Sequence, residues 1–123
     1  MLRQGPFPAR LHGLLEYAVG AFFVASPFIF GFDATAAIAI GVVGGVALIL
    51  MAATAATGPS LAPLVPIGMH VAYDVVFAGF LIASPFILGF SDEGAPTALF
   101  IVVGVLHLLV TIGTRFVAPE PSA

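Results

Sequence analysis

The stretch Ala25-Ser26-Pro27-Phe28-Ile29-Phe30-Gly31-Phe32 returns 58 positions later as Ala83-Ser84-Pro85-Phe86-Ile87-Leu88-Gly89-Phe90. The match extends backwards: Pro8, His12 and Phe22 recur as Pro66, His70 and Phe80, and Glu16 becomes Asp74. A repeat of fixed period decides the architecture, because each copy has to be one structural unit. The units read as about 8–57 and 66–117 within a single domain covering 1–123.

The chain around the repeat is apolar. It is 61% hydrophobic and 7% charged, with a mean hydropathy of +1.22, three Arg, no Lys, no Cys and a net charge of −3. A soluble domain carries about 25% charged residues, and a disordered chain needs high charge with low hydrophobicity, so both classes are excluded. No basic patch exists for nucleic acid. The nine charges are Arg3, Arg10, Glu16, Asp33, Asp74, Asp92, Glu93, Arg115 and Glu120, and they leave uncharged runs at 17–32, 34–73, 75–91 and 94–114. A bilayer core takes about 20 apolar residues in a helix. Gly58-Pro59-Ser60, Pro63 and Pro66 divide the longest run, giving spans at about 11–31, 35–57, 67–89 and 96–117. The fold class expected is all-α integral membrane, with four transmembrane helices. Strands do not fit, since apolar and polar residues do not alternate.

Each unit is then a two-helix hairpin. With two crossings per unit, both copies enter from the same side and relate by a pseudo-twofold along the membrane normal. Arg3, Arg10 and Arg115 flank the outer ends of spans one and four, whereas Asp33 and the 91–93 loop carry no positive charge. The positive-inside rule places both termini in the cytoplasm. The small residues at 24–26 superficially suggest a signal-peptide cleavage site, but Pro27 follows them and the segment recurs mid-chain. The first span is therefore expected to be retained.

The doubled Ser-Pro-Phe motif within two-helix units resembles the SPW-repeat family of small bacterial integral membrane proteins, in which Ser-Pro-Trp marks the first helix of each unit. Phe28 and Phe86 stand where that family has Trp. The resemblance implies a multi-pass protein of the bacterial cytoplasmic membrane and carries no reaction with it.

Proline removes an amide donor and kinks or ends a helix, so Pro27 and Pro85 should shape the outer corners of the hairpins, with Ser26 and Ser84 partnering the freed carbonyls. Phe28, Phe32, Phe86 and Phe90 are expected at the outer boundary. Small residues set packing in lipid, where hydrophobicity gives helices little drive to associate. Gly41 and Gly45, with Gly20 and Gly79, are the expected close-approach positions. Gly44 aligns roughly with Gly104.

One constellation carries chemistry. Both units read Pro-x-x-x-His-x-x-x-acid, as Pro8, His12, Glu16 and Pro66, His70, Asp74. The i, i+4 spacing sets imidazole and carboxylate on one helix face. A carboxylate at membrane depth is costly when turned to lipid, so this face belongs at the repeat interface. Three readings are open. Each His hydrogen-bonds its own acid; or the two pairs converge on a Zn-like ion; or His12 and His70 ligate haem axially. His107 lies outside the repeat, opposite Ala47, and reads as a packing residue. Tyr17 and Tyr73 sit beside the acids as hydrogen-bond candidates. No hydrolytic triad or phosphate loop is present in the sequence, so an enzyme is not expected. The functions left are an interaction or accessory subunit, self-associating or held by a membrane-protein partner; a metal- or haem-binding membrane protein; and a proton-coupled carrier using Glu16 and Asp74.

Overall fold

The computed structural model describes residues 5–56 and 59–116. Arg3, Thr57, Gly58, Val117 and Glu120, used above for orientation, the mid-chain break, span ends and charge, lie outside the described residues. Four helices follow one another: α1 Ala9–Ile29, α2 Thr35–Thr54, α3 Ile67–Ile87 and α4 Gly94–Gly113. Two-residue strands flank them, β1 Phe7–Pro8 and β2 Thr114–Arg115. All four helices are long and apolar enough to cross a membrane. Their outward faces are apolar as well: Phe28 is 73% exposed, Val76 71% and Val43 64%, a surface suited to lipid.

The repeated motif is a helix-ending device. Gly31 and Gly89 adopt φ of +62° and +77°, a left-handed conformation that favours glycine. Phe32 N–H then donates to Pro27 O, and Phe90 N–H to Pro85 O, each at 2.9 Å, closing a Schellman cap. Pro27 and Pro85 consequently lie inside the last helical turn, and α1 and α3 stop two residues short of the expected ends. Each proline leaves the carbonyl four residues back without its amide. Ser26 Oγ donates to Phe23 O at 2.7 Å and Ser84 Oγ to Leu81 O at 2.9 Å, which are the two carbonyls concerned. Phe32 and Phe90 follow at the loop ends of the hairpins. The cap turns them inward, 6% and 2% exposed, against the Phe100 ring at centroid distances of 6.4 and 5.2 Å.

Backbones approach most closely within each hairpin, α1 on α2 and α3 on α4. A Cβ on Gly45 would lie 2.5 Å from Gly20 O, and one on Gly41 2.9 Å from the Pro27 ring. Gly104 plays the part of Gly45, not Gly44, with a Cβ there 3.0 Å from Ala78 O. Gly79 lies off the hairpin seam: it is exposed, with nothing within 4 Å of a Cβ placed on it. Ala78, fully buried, takes the seam. One residue rotates a helix by about 100°, enough to move Gly79 off that face.

The two hairpins share one orientation. The buried positions of α4 (Pro96, Phe100, Val103, Gly104, His107, Thr111) are those of α2 advanced by 59. β1 runs parallel to β2, pairing Phe7 with Thr114, and Val65 forms the corresponding parallel bridge with Ala55. Each hairpin's entry is thus tied to the other's exit, and the first and last described segments lie side by side at one end of the bundle. At the opposite end Glu93 joins the loops, accepting from the Asp33 and Ala34 amides at 2.7 and 2.9 Å. Between the hairpins the core is filled by Phe23, Leu48, Phe77, Leu81 and Phe100.

Gly45→Ala forces the backbones of α1 and α2 apart and is expected to lower the unfolding free energy by about 1–3 kcal/mol. Gly79→Ala should be neutral or stabilising by up to about 1 kcal/mol, as for an exposed helical glycine. Unfolding titrations of the two variants in detergent check the contrast.

A candidate cation centre across the pseudo-twofold

The N-terminal turns of α1 and α3 carry the imidazole–carboxylate pairs, and the pseudo-twofold brings the pairs together. His12, Glu16, His70 and Asp74 are 2%, 2%, 3% and 0% exposed. His12 Nε2 lies 2.6 Å from Glu16 Oε1 and 3.1 Å from Asp74 Oδ2. His70 Nε2 lies 3.0 Å from Glu16 Oε1 and 3.2 Å from Asp74 Oδ2. Nitrogen and oxygen therefore alternate around a small ring, with each imidazole contacting both acids.

The tautomer of His12 follows from its other nitrogen. Thr114 Oγ1 donates its single hydrogen to Val110 O at 2.6 Å. It therefore accepts from His12 Nδ1–H, which stands 2.9 Å away. With Nδ1 protonated, a neutral His12 presents a bare Nε2 lone pair to two carboxylate oxygens. That arrangement is stable when a proton stands between Nε2 and a carboxylate oxygen, on either group, or when a cation sits among the three atoms.

Several side chains fall where sequence reasoning did not put them. His107 Nε2 approaches Asp74 Oδ1 at 3.3 Å, so His107 joins the cluster and is no isolated packing residue. Its counterpart under the observed register of 59 is Leu48, not Ala47. Tyr17 OH donates to Pro59 O at 3.0 Å, and Tyr73 stacks on Phe77 at 5.6 Å. Phe116 closes the end of the cluster, its ring 5.1 Å from that of His12. Ser26, Pro27, Phe28, Ser84, Pro85 and Phe86 lie at the far ends of α1 and α3 and take no part.

The symmetry breaks at particular places, and the breaks explain two of the buried polar atoms that lack a hydrogen-bond partner. His70 Nδ1 and Glu16 Oε2 are buried without hydrogen-bond partners. The position that would serve His70, as Thr114 serves His12, is Ala55. Where α4 brings His107 Nε2 to 3.3 Å from Asp74 Oδ1, α2 has Leu48, so no imidazole approaches Glu16 Oε2 in the same way.

Matching the chain to family models places residues 10–115 in the SPW repeat domain. The chain belongs to the SPW repeat domain family. This SPW-repeat chain is a small multi-pass membrane protein, with four helices long and apolar enough to span a bilayer. Comparisons with curated proteins and with solved structures give no match.

Ala55→Ser offers His70 Nδ1 the hydroxyl that it lacks and is expected to add about 1 kcal/mol of stability. Thr114→Val orphans His12 Nδ1 and should cost about 1–3 kcal/mol. Detergent unfolding of both variants measures the two signs.

Proposed function

We propose that this SPW-repeat protein binds a divalent transition-metal ion, of Zn²⁺ type, inside the membrane. The observation that carries the reading is the donor set: one atom from each of His12, Glu16, His70 and Asp74, all within 4.8 Å of one another. Metal–nitrogen and metal–oxygen bonds of about 2.0–2.2 Å put tetrahedral ligand atoms about 3.3–3.6 Å apart. Three of the four observed contacts, at 3.0, 3.1 and 3.2 Å, are already near that spacing. The His12–Glu16 contact opens by small side-chain rotations. Two imidazoles and two carboxylates suit Zn²⁺ or a neighbouring first-row ion, and two carboxylates balance its charge in an apolar surround. Thr114 holds His12 in the ligating tautomer, the usual office of an outer-shell acceptor.

The other expectations fare less well against the same geometry. A porphyrin needs a slot between its axial ligands, and here Glu16 and Asp74 fill the gap between His12 and His70. A proton-coupled path along the axis would have to cross Phe23, Phe77 and Phe100. The accessory-subunit reading drew on small-residue faces, and Gly20, Gly41, Gly45 and Gly104 are engaged inside the hairpins. Arg10 and Arg115 lie at the cluster end, which supports a cytoplasmic orientation for that end in a bacterial inner membrane.

Chelator-treated protein in nanodiscs, titrated with Co²⁺ and then Zn²⁺, tests the reading. The expected result is one ion per chain, with visible bands of a tetrahedral nitrogen–oxygen site that Zn²⁺ abolishes. His12→Ala and His70→Ala should each weaken binding by more than about 100-fold, and Thr114→Val by about 10–100-fold. Absence of stoichiometric binding, or binding indifferent to these substitutions, overturns the assignment.

A further inference from the structure

The link between α2 and α3 carries no charge. Its described part, Pro59-Ser60-Leu61-Ala62-Pro63-Leu64-Val65-Pro66, falls inside the uncharged run 34–73 and has a single polar side chain, Ser60. The connections at the far end of the bundle are of another kind, with Asp33, Ser91 and Asp92 all exposed. Leu61 and Leu64 are 85% and 75% exposed, more than any large apolar side chain on the four helices.

The backbone of the link leaves little for water to bind. Pro59, Pro63 and Pro66 have no amide hydrogen. Leu61 and Ala62 N–H donate to Ala53 O at 2.8 and 2.9 Å, and Leu64 and Val65 N–H donate to Thr54 O at 3.1 and 2.8 Å. Ala53 and Thr54 end α2, where helix carbonyls otherwise lack partners. Pro59 O accepts from Tyr17 OH at 3.0 Å. Internal pairing of this kind is what lipid demands of a backbone, whereas a loop in water has no need of it. The link thus folds back against the end of α2, and its two leucines stand level with the end of a lipid-facing helix.

We propose that residues 59–66 form an interfacial segment, lying at the boundary of headgroups and acyl chains with Leu61 and Leu64 inserted among the chains. Both side chains gain by leaving water, and the missing or paired amides bring little polarity with them. The partner is a lipid surface of any headgroup charge, since the segment has none of its own. Held there, the link also covers one side of the cation cluster: a Cβ on Gly13, next to His12, would lie 2.6 Å from the Pro59 ring. Lipid contact at this link is independent of what the four ligands hold.

The chain has neither Trp nor Cys, so single introduced residues report without background. Leu61→Trp and Leu64→Trp proteins, one chain per phosphatidylcholine nanodisc, are compared by fluorescence with Ser91→Trp at the far end. The expected result is emission at shorter wavelength, at least about twofold quenching by phosphatidylcholine brominated near the headgroup, and acrylamide quenching several-fold weaker than for Ser91→Trp. Because Trp itself favours membrane interfaces, Leu61→Cys and Leu64→Cys supply a second reading. A thiol reacts as its thiolate, which forms in water, so both should take up a charged maleimide at least about tenfold more slowly than Ser91→Cys, although the fold leaves both positions open. All four substitutions fall on side chains that project from the fold. Labelling, or acrylamide quenching, at either leucine position to the extent seen at Ser91 puts the link in water, as a docking loop for a soluble protein would be, and overturns the proposal.

Discussion

Two carboxylates placed in apolar helices must be neutralised within the protein, because lipid offers them neither water nor counterions. Glu16 and Asp74 meet that demand by facing each other's histidines across the bundle axis, not merely their own. The demand organises the rest. It sets the faces that α1 and α3 turn inward and draws α4 in through His107. It also requires both hairpins to run in the same sense, since inverted repeats would carry the two pairs to opposite membrane surfaces. The strand pairing of each entry with the other hairpin's exit holds that end of the bundle closed around the cluster.

Architecture and chemistry occupy opposite ends of the same helices. At the loop end, Ser-Pro-Phe and the following Gly-Phe terminate α1 and α3. Each hydroxyl satisfies the carbonyl that proline strands, and each glycine reverses the chain. The recurrent motif is thus a solution to ending a helix in lipid, where every backbone group must be paired. At the other end the duplicated His and acid are joined by residues present in one repeat only. His107 and Thr114 make the doubled cluster asymmetric, and the fixed tautomer of His12 arises from that asymmetry.

Most of the frame was legible in the sequence. The 58-residue repeat, the charge-free runs and the prolines specify four helices in two like-oriented hairpins, and the i, i+4 spacing with the pseudo-twofold brings four polar side chains together. What escaped depends on register and on contacts between helices distant in the chain. Aligning Gly44 with Gly104 set α2 and α4 one residue out of step, which paired His107 with Ala47 and hid its place in the buried stripe. Thr114 was invisible because its role depends on β1 lying beside β2. Gly79 lies off the seam because Ala78 is small enough to take it.

The central claim is the bond between hairpins, and a double-mutant cycle on Glu16 and His70 measures it most directly. Unfolding free energies in detergent of Glu16→Ala, His70→Ala and the double variant give the coupling. A coupling of about 1–3 kcal/mol is expected for buried groups 3.0 Å apart on different helices. Additivity within about 0.5 kcal/mol would contradict the account, since each acid would then answer only to its own helix.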